Sequence, residues 1–114
     1  MQNFVVNSRR SQRVAARVRI RVTRRAGENS ALSEDAYTLM VNAHGGLIIL
    51  AMIVEAREVL VLRNLMTSDE QLIRVVRVGE KQESKHQVAI EFTSPSPRFW
   101  HIDFPPADWK MIED

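Results

Sequence analysis

The feature that most restricts the fold of this chain is a period-two alternation of apolar and basic residues near its amino end. In the stretch VAARVRIRV, residues 14–22, arginines occupy one face, and the other face carries Ala16, Val18, Ile20 and Val22. Successive side chains of a β-strand point to opposite sides, so this pattern is typical of a strand with one buried face. An amphipathic helix would repeat its apolar residues every three to four positions instead. The stretch therefore predicts a half-buried β-strand.

Five further apolar runs follow, and polar or glycine-containing turns separate them. The runs are residues 36–42, 47–52, 58–65, 71–80 and 86–93. In the last of them Val88, Ile90 and Phe92 alternate with Gln87, Ala89 and Glu91. Six short strands joined by polar turns predict an all-β fold, an antiparallel sandwich or barrel.

Three segments between or after these strands have compositions of their own. Residues 24–35 are rich in small and polar side chains and are predicted to form a loop. The stretch AHGG, residues 43–46, is predicted to form a turn in which the glycines adopt positive φ. Closely spaced prolines near the carboxyl end exclude a long helix and leave at most a short one in residues 106–114.

The length and composition of the chain restrict its class. A chain of 114 residues with 45% hydrophobic residues is typical of one soluble globular domain, here residues 1–114. Cysteine is absent, which excludes disulfides and thiolate chemistry and fits a cytoplasmic location. The most apolar run, residues 45–56, is shorter than the ~20 residues of a membrane-spanning helix. We therefore expect no membrane insertion.

Catalytic and metal-binding patterns are not found. His44, His86 and His101 are scattered, and no pair has the i, i+4 spacing of a helical metal site. No glycine-rich phosphate loop precedes a helix, and there is no nucleophile elbow. The sequence predicts a protein that is not an enzyme and that holds no metal or cofactor.

Positive charge is concentrated at the amino end. Eight of the sixteen basic residues lie within residues 9–25, all eight are arginine, and no acidic residue occurs among them. Guanidinium groups bind phosphate bidentately and stack on flat rings. We expect residues 1–13 to form a flexible arm in which Arg9, Arg10 and Arg13 bind an anionic ligand such as a nucleotide. The other interpretation of the arm is a solvated charge run.

Two motifs of the chain resemble those of the PilZ domain family, bacterial signalling domains whose best-known members bind cyclic di-GMP. The stretch RRSQR, residues 9–13, matches the RRxxR motif of the family. The stretch VNAHGG, residues 41–46, lies where the (D/N)xSxxG motif is expected, with Gly46 as its last glycine. The later strands VVRVG and VAIEF also fit, and the resemblance covers about residues 8–104.

This resemblance implies a six-stranded antiparallel β-barrel with the arginine arm across one rim, beside the glycine-containing turn. In the members that bind cyclic di-GMP, the arginines hold the phosphates and stack on guanine. The resemblance therefore implies cyclic di-GMP as the ligand and Arg9, Arg10, Arg13 and Gly46 as residues that contact it.

The second motif departs from the family at the two positions that contact the edge of guanine. Val41 stands at the Asp/Asn position and Ala43 at the serine position, and neither side chain has a polar group. Each lost hydrogen bond costs ~1–3 kcal/mol, so the two together weaken binding by roughly 100-fold or more. Asn42 and His44 lie one position away, and either is a candidate substitute. The alternative for Asn42 is that it only holds the turn by bonding the backbone.

Two functions remain open at this point. The first is a signalling module that binds cyclic di-GMP. The second is a degenerate PilZ domain that no longer binds the nucleotide and acts as an adaptor for an unknown protein partner. Sequence-independent binding of nucleic acid is less favoured, because the chain lacks the paired aromatic residues typical of an RNA-binding sheet.

Overall fold

The described part of the chain forms seven β-strands, six of which close into an antiparallel barrel. The computed structural model describes residues 13–27 and 30–102. The strands are β1 (Val14–Ala15), β2 (Arg19–Gly27), β3 (Ser30–Asn42), β4 (Gly45–Leu50), β5 (Val59–Asn64), β6 (Glu70–Gln82) and β7 (Lys85–Phe92). Their order in the sheet is β1-β3-β2-β5-β6-β7-β4, and pairing of β3 with β4 closes it. The predicted all-β barrel is confirmed, with no helix in the described residues. The predicted carboxyl-terminal helix and residues 1–12 of the arm lie outside them.

The core of the barrel follows the predicted alternation. Fully buried aliphatic side chains come from six strands and include Ile20, Val22, Val41, Ile48, Leu50, Leu60, Leu62, Ile73, Val75 and Val88. Burial of each such side chain stabilises the fold by about 1.5–3 kcal/mol. In β7 the inward residues are Val88, Ile90 and Phe92, as the sequence predicts. Inward side chains thus fill the barrel along its length, as expected for a small barrel.

The strand predicted for residues 14–22 is interrupted at residues 16–18. β1 pairs with the carboxyl end of β3, and β2 pairs with the preceding part of β3. Between them the buried hydroxyl of Thr38 accepts a hydrogen bond from the Val18 amide at 2.9 Å and donates to the Ala16 carbonyl at 2.6 Å. The side chain thereby satisfies backbone groups that a continuous ladder would pair.

The loop predicted for residues 24–35 is wrong. β2 continues to Gly27 and β3 begins at Ser30, so most of this segment forms a long hairpin. Its register places Arg21 opposite Asp35, and the two side chains form an ion pair at 2.7 Å. The hydrogen bond that the Arg21 guanidinium donates in this pair lowers the pKa of the Asp35 carboxyl. Cross-strand pairs of this kind stabilise an exposed hairpin whose composition alone is typical of a loop.

The prediction of positive φ at the glycine pair is also wrong. The turn is formed by Ala43 and His44, whereas Gly45 and Gly46 already belong to β4 and neither has a positive φ. A Cβ at Gly46 would lie 2.7 Å from the carbonyl oxygen of Met40. Glycine is therefore required at this position because the neighbouring backbone lies too close for a Cβ, and not because of a special backbone conformation.

A partly buried ion pair connects the hairpin to the segment before β5. The Arg24 guanidinium donates to the two carboxylate oxygens of Glu58 at 2.5 and 2.9 Å, and to the Ile53 carbonyl at 2.7 Å. The hydrogen bond from Arg24 lowers the pKa of the Glu58 carboxyl. The ionised carboxylate is thus stabilised in the folded protein.

Glu58→Gln is expected to lower the free energy of unfolding by about 1–3 kcal/mol at pH 7, because a charge-assisted hydrogen bond is lost. Since the folded-state pKa is lowered, the contribution of Glu58 is complete above its ordinary value of 4.5 and is lost as the pH falls through the lower folded value. Urea unfolding of both proteins between pH 7 and pH 3 measures this difference. A difference that stays constant below pH 4.5 would contradict the assignment.

Candidate ligand-binding site

A cavity of about 180 Å³ lies on the barrel beside β1, where β3, β4, β7 and β6 are neighbours. We call it the arginine cavity. Its lining residues are Arg13, Met40, Val41, Asn42, Gly46, Leu47, Val76, Arg77, Ala89 and Ile90.

The register of four neighbouring strands builds the floor of this cavity. Met40 of β3 lies opposite Leu47 of β4, and Leu47 lies opposite Ala89 of β7. Ala89 in turn lies opposite Arg77 of β6. The row therefore runs from apolar side chains through the short Ala89 to a guanidinium. Because the methyl group of Ala89 is small, space remains between Leu47 and Arg77.

A β-bulge in β6 determines that Arg77 belongs to this row. Val75 pairs with Ile90 and Arg77 pairs with Ala89, so Val76 is the extra residue. Ile73 and Val75 are buried, and strict alternation would place Arg77 on their inner face. The bulge re-aims the chain by one residue, so Arg77 is exposed and lines the cavity. The sequence prediction missed Arg77 because VVRVG carries no signal for a bulge.

The structure brings several of the predicted site residues together. β1 pairs Val14 with Val41, which places the preceding Arg13 beside the second motif. Arg13, Asn42 and Gly46 all line the arginine cavity. His44 lies in the adjoining turn but does not line it. Arg9 and Arg10 lie outside the described residues.

The residues of the second motif contribute unequally to the cavity. Val41 also lines it, but its side chain is fully buried in the core. The Asn42 side-chain oxygen accepts a hydrogen bond from the His44 amide at 2.7 Å, which holds the turn. Besides the second lone pair of this oxygen, the amide nitrogen of Asn42 is the group that the side chain offers a ligand. Ala43 does not line the cavity.

Two arginines give the cavity its positive charge. Arg13 and Arg77 are both exposed. Among residues 13–27 and 30–102, the ion pairs of arginine involve Arg21, Arg24, Arg63 and Arg74, with no acidic partner for either cavity arginine. Two exposed guanidinium groups beside an apolar floor suit an anionic ligand that carries a flat ring.

Some arginines of the strand predicted for residues 14–22 contact other residues of the protein. The Arg17 guanidinium lies 3.9 Å from the centre of the Tyr37 ring, and Arg21 pairs with Asp35. Two arginines of the basic face therefore already make contacts within the protein, and this weakens the hypothesis that the face binds nucleic acid.

Trp100 supports the second motif from inside the barrel. Its indole is buried and packs against the rings of Phe92 and Phe99, and its Nε1 donates to the Gly45 carbonyl at 3.1 Å. Trp100 is therefore a core residue and not a stacking platform for a ligand.

His44, His86 and His101 lie in different parts of the described chain. His86 is buried in β7, and His101 is an exposed residue whose ring bonds Asp69 at 2.9 Å. The described part of the chain holds no cluster of three or more metal-ligating side chains. Nor do residues 13–27 and 30–102 contain a helix long and apolar enough to span a membrane.

The barrel has a PilZ-like fold. A structural match carries this assignment: the Bacillus subtilis inhibitor of motility (MotI/DgrA), a PilZ-domain protein, superposes with a TM-score of 0.61 at 17% sequence identity. The match covers 80% of this chain and 45% of the MotI/DgrA chain, so this chain spans less than half the length of MotI/DgrA. No protein-family model matches the sequence, and no curated protein sequence matches it. The likeness therefore establishes the fold alone.

Proposed function

We propose that this chain is a cytoplasmic signalling module of the PilZ type that binds cyclic di-GMP and catalyses no reaction. The phosphates bind Arg9, Arg10 and Arg13, and one guanine ring enters the arginine cavity. The position of Arg13 carries the proposal. This last arginine of the RRxxR motif lines the same cavity as Asn42 and Gly46 of the second motif.

The size and chemistry of the cavity suit part of a dinucleotide. Its volume of about 180 Å³ is below the ~300–1,000 Å³ of sites that enclose a whole drug-sized ligand. One base therefore lies on the floor formed by Met40, Leu47 and Ala89, and the phosphates lie outside it, toward the arginine arm. Burial of the ring against this floor is favourable, and Arg13 supplies charge-assisted hydrogen bonds to phosphate.

The proposed signal is the ordering of the arm around the nucleotide. Ordering a flexible segment costs ~1–2 kcal/mol per residue. An arm that becomes ordered only with ligand bound differs in its exposed surface between the two states. A partner that contacts the ordered arm would then bind in response to cyclic di-GMP.

Arg13→Ala is expected to weaken the binding of cyclic di-GMP at least tenfold, because a charge-assisted hydrogen bond is worth ~1.5–3 kcal/mol. Isothermal titration of the folded protein measures the affinity. Arg19→Ala is the matched control, since Arg19 is an exposed strand arginine that does not line the cavity. No heat from the unmodified, folded protein at high micromolar ligand would reject the proposal.

The second candidate function is that of an adaptor that has lost the nucleotide. It is supported by the small number of polar groups that the second motif offers a ligand. Val41 is buried and apolar, and the Asn42 oxygen bonds the backbone. In this case a specific protein partner would be captured equally with and without cyclic di-GMP. Capture that requires the nucleotide would contradict it.

A further inference from the structure

We propose that Arg77 selects the guanine base, in place of the polar residues that the second motif lacks. This inference rests on the proposed function. It adds a specificity-determining residue that lies outside both motifs of the chain.

The geometry points to Arg77 for three reasons. It lines the arginine cavity, and it stands opposite Ala89, whose short side chain leaves the floor open beside it. It lies on β6, at the far end of the row from Arg13, which precedes β1. A ligand with its phosphate at Arg13 and its ring on the floor therefore presents an edge of that ring toward β6.

The chemistry of the two groups is complementary. The guanidinium is a planar fork of donors, and the O6 and N7 atoms of guanine are two adjacent acceptors that it binds bidentately. Adenine keeps the N7 acceptor but carries a donor amine at the neighbouring position, so the fork loses one of its bonds. Discrimination by one bidentate pair is worth roughly 5- to 150-fold in affinity.

No other polar group lining the cavity fits this role as well. The Asn42 oxygen accepts from the His44 amide, and the remaining amide nitrogen is one donor atom and not the planar fork that binds O6 and N7 together. Val41 and Ala89 have no polar side chain. Arg13 belongs to the RRxxR motif, whose expected contacts are the phosphates and the face of the base, and neither contact reads the edge that distinguishes guanine from adenine.

The experiment compares the affinities of cyclic di-GMP and cyclic di-AMP by isothermal titration in four proteins. The unmodified protein is expected to prefer cyclic di-GMP at least tenfold. In Arg77→Ala the preference falls to threefold or less. Arg77→Lys keeps a cationic donor to O6 and N7 but lacks the planar fork, so it retains part of the preference. Arg13→Ala weakens both dinucleotides by similar factors, which separates phosphate binding from base selection. Circular dichroism verifies that each variant is folded.

The outcomes separate this inference from the proposed function. If the unmodified protein prefers cyclic di-GMP and Arg77→Ala retains that preference, the role of Arg77 is overturned and the proposed function stands. Equal affinity of the unmodified protein for the two dinucleotides also overturns the role of Arg77. If the folded protein binds neither dinucleotide, the proposed function fails and the role of Arg77 fails with it.

Discussion

Alanine at Gly45 is expected to lower the free energy of unfolding by at least about 3 kcal/mol, the upper end of the usual cost of overpacking. An added Cβ would lie 2.1 Å from the carbonyl oxygen of Ile90 and 2.7 Å from the Cα of Glu91. Both are backbone atoms of β7, which pairs directly with β4. They cannot rotate away as the end of a flexible side chain would. The two strands must therefore separate at one edge of the barrel.

Gly79→Ala is the matched control, since Gly79 is also a strand glycine of the same sheet. The nearest atom to a Cβ at Gly79 is the carbonyl oxygen of Gln87, at 3.2 Å. A shift of a few tenths of an ångström relieves this contact, so we expect a change within about 1 kcal/mol. Urea unfolding of both variants measures the difference. Equal stability of the two variants would contradict the close approach of β4 and β7.

Trp100→Ala is expected to cost about 3–5 kcal/mol, as large-to-small changes of buried tryptophan do. The side chain is only 3% exposed, and its ring centre lies 5.0 Å from that of Phe99 and 5.9 Å from that of Phe92. Truncation removes these contacts and leaves a cavity beside the turn of the second motif. It also removes the hydrogen bond to the Gly45 carbonyl. Thermal or urea unfolding measures the loss.

Trp100→Phe separates the two contributions of the indole. Phenylalanine keeps most of the buried ring but lacks the N–H donor, so the Gly45 carbonyl loses its partner at a cost of ~1–3 kcal/mol. We expect the phenylalanine variant to be intermediate between the unmodified protein and Trp100→Ala. If both variants were equally destabilised, ring packing would contribute little and the assignment of Trp100 as a core residue would need revision.

Part of the candidate site was predictable because it is encoded locally. Arg13, Asn42 and Gly46 belong to short motifs, and β1 pairing with β3 brings the two motifs to one cavity. That the side chains at positions 41 and 43 are apolar is likewise visible in the sequence. That Asn42 lines the cavity and His44 does not was not predictable, because the geometry of the turn between them decides it.

Arg77 was not predictable for a different reason. Alternation along β6 assigns it to the inner face with Ile73 and Val75, and the bulge at Val76 reverses this. A bulge arises from pairing between β6 and β7, so no property of VVRVG alone reveals it. The same limit explains the hairpin of β2 and β3, whose small polar residues are ordered by cross-strand pairs such as Arg21 with Asp35.

The amino-acid sequence by itself determined that this protein is all-β and which face of most strands is buried, because period-two alternation is a property of each strand alone. It also carried both motif positions and the clustering of arginines. Only the tertiary structure decided which strands are neighbours, where a bulge re-aims a side chain, and why Gly45 and Gly46 have no side chain. These depend on contacts between residues far apart in the chain, and the backbone of β7 that excludes a Cβ at Gly45 is one example.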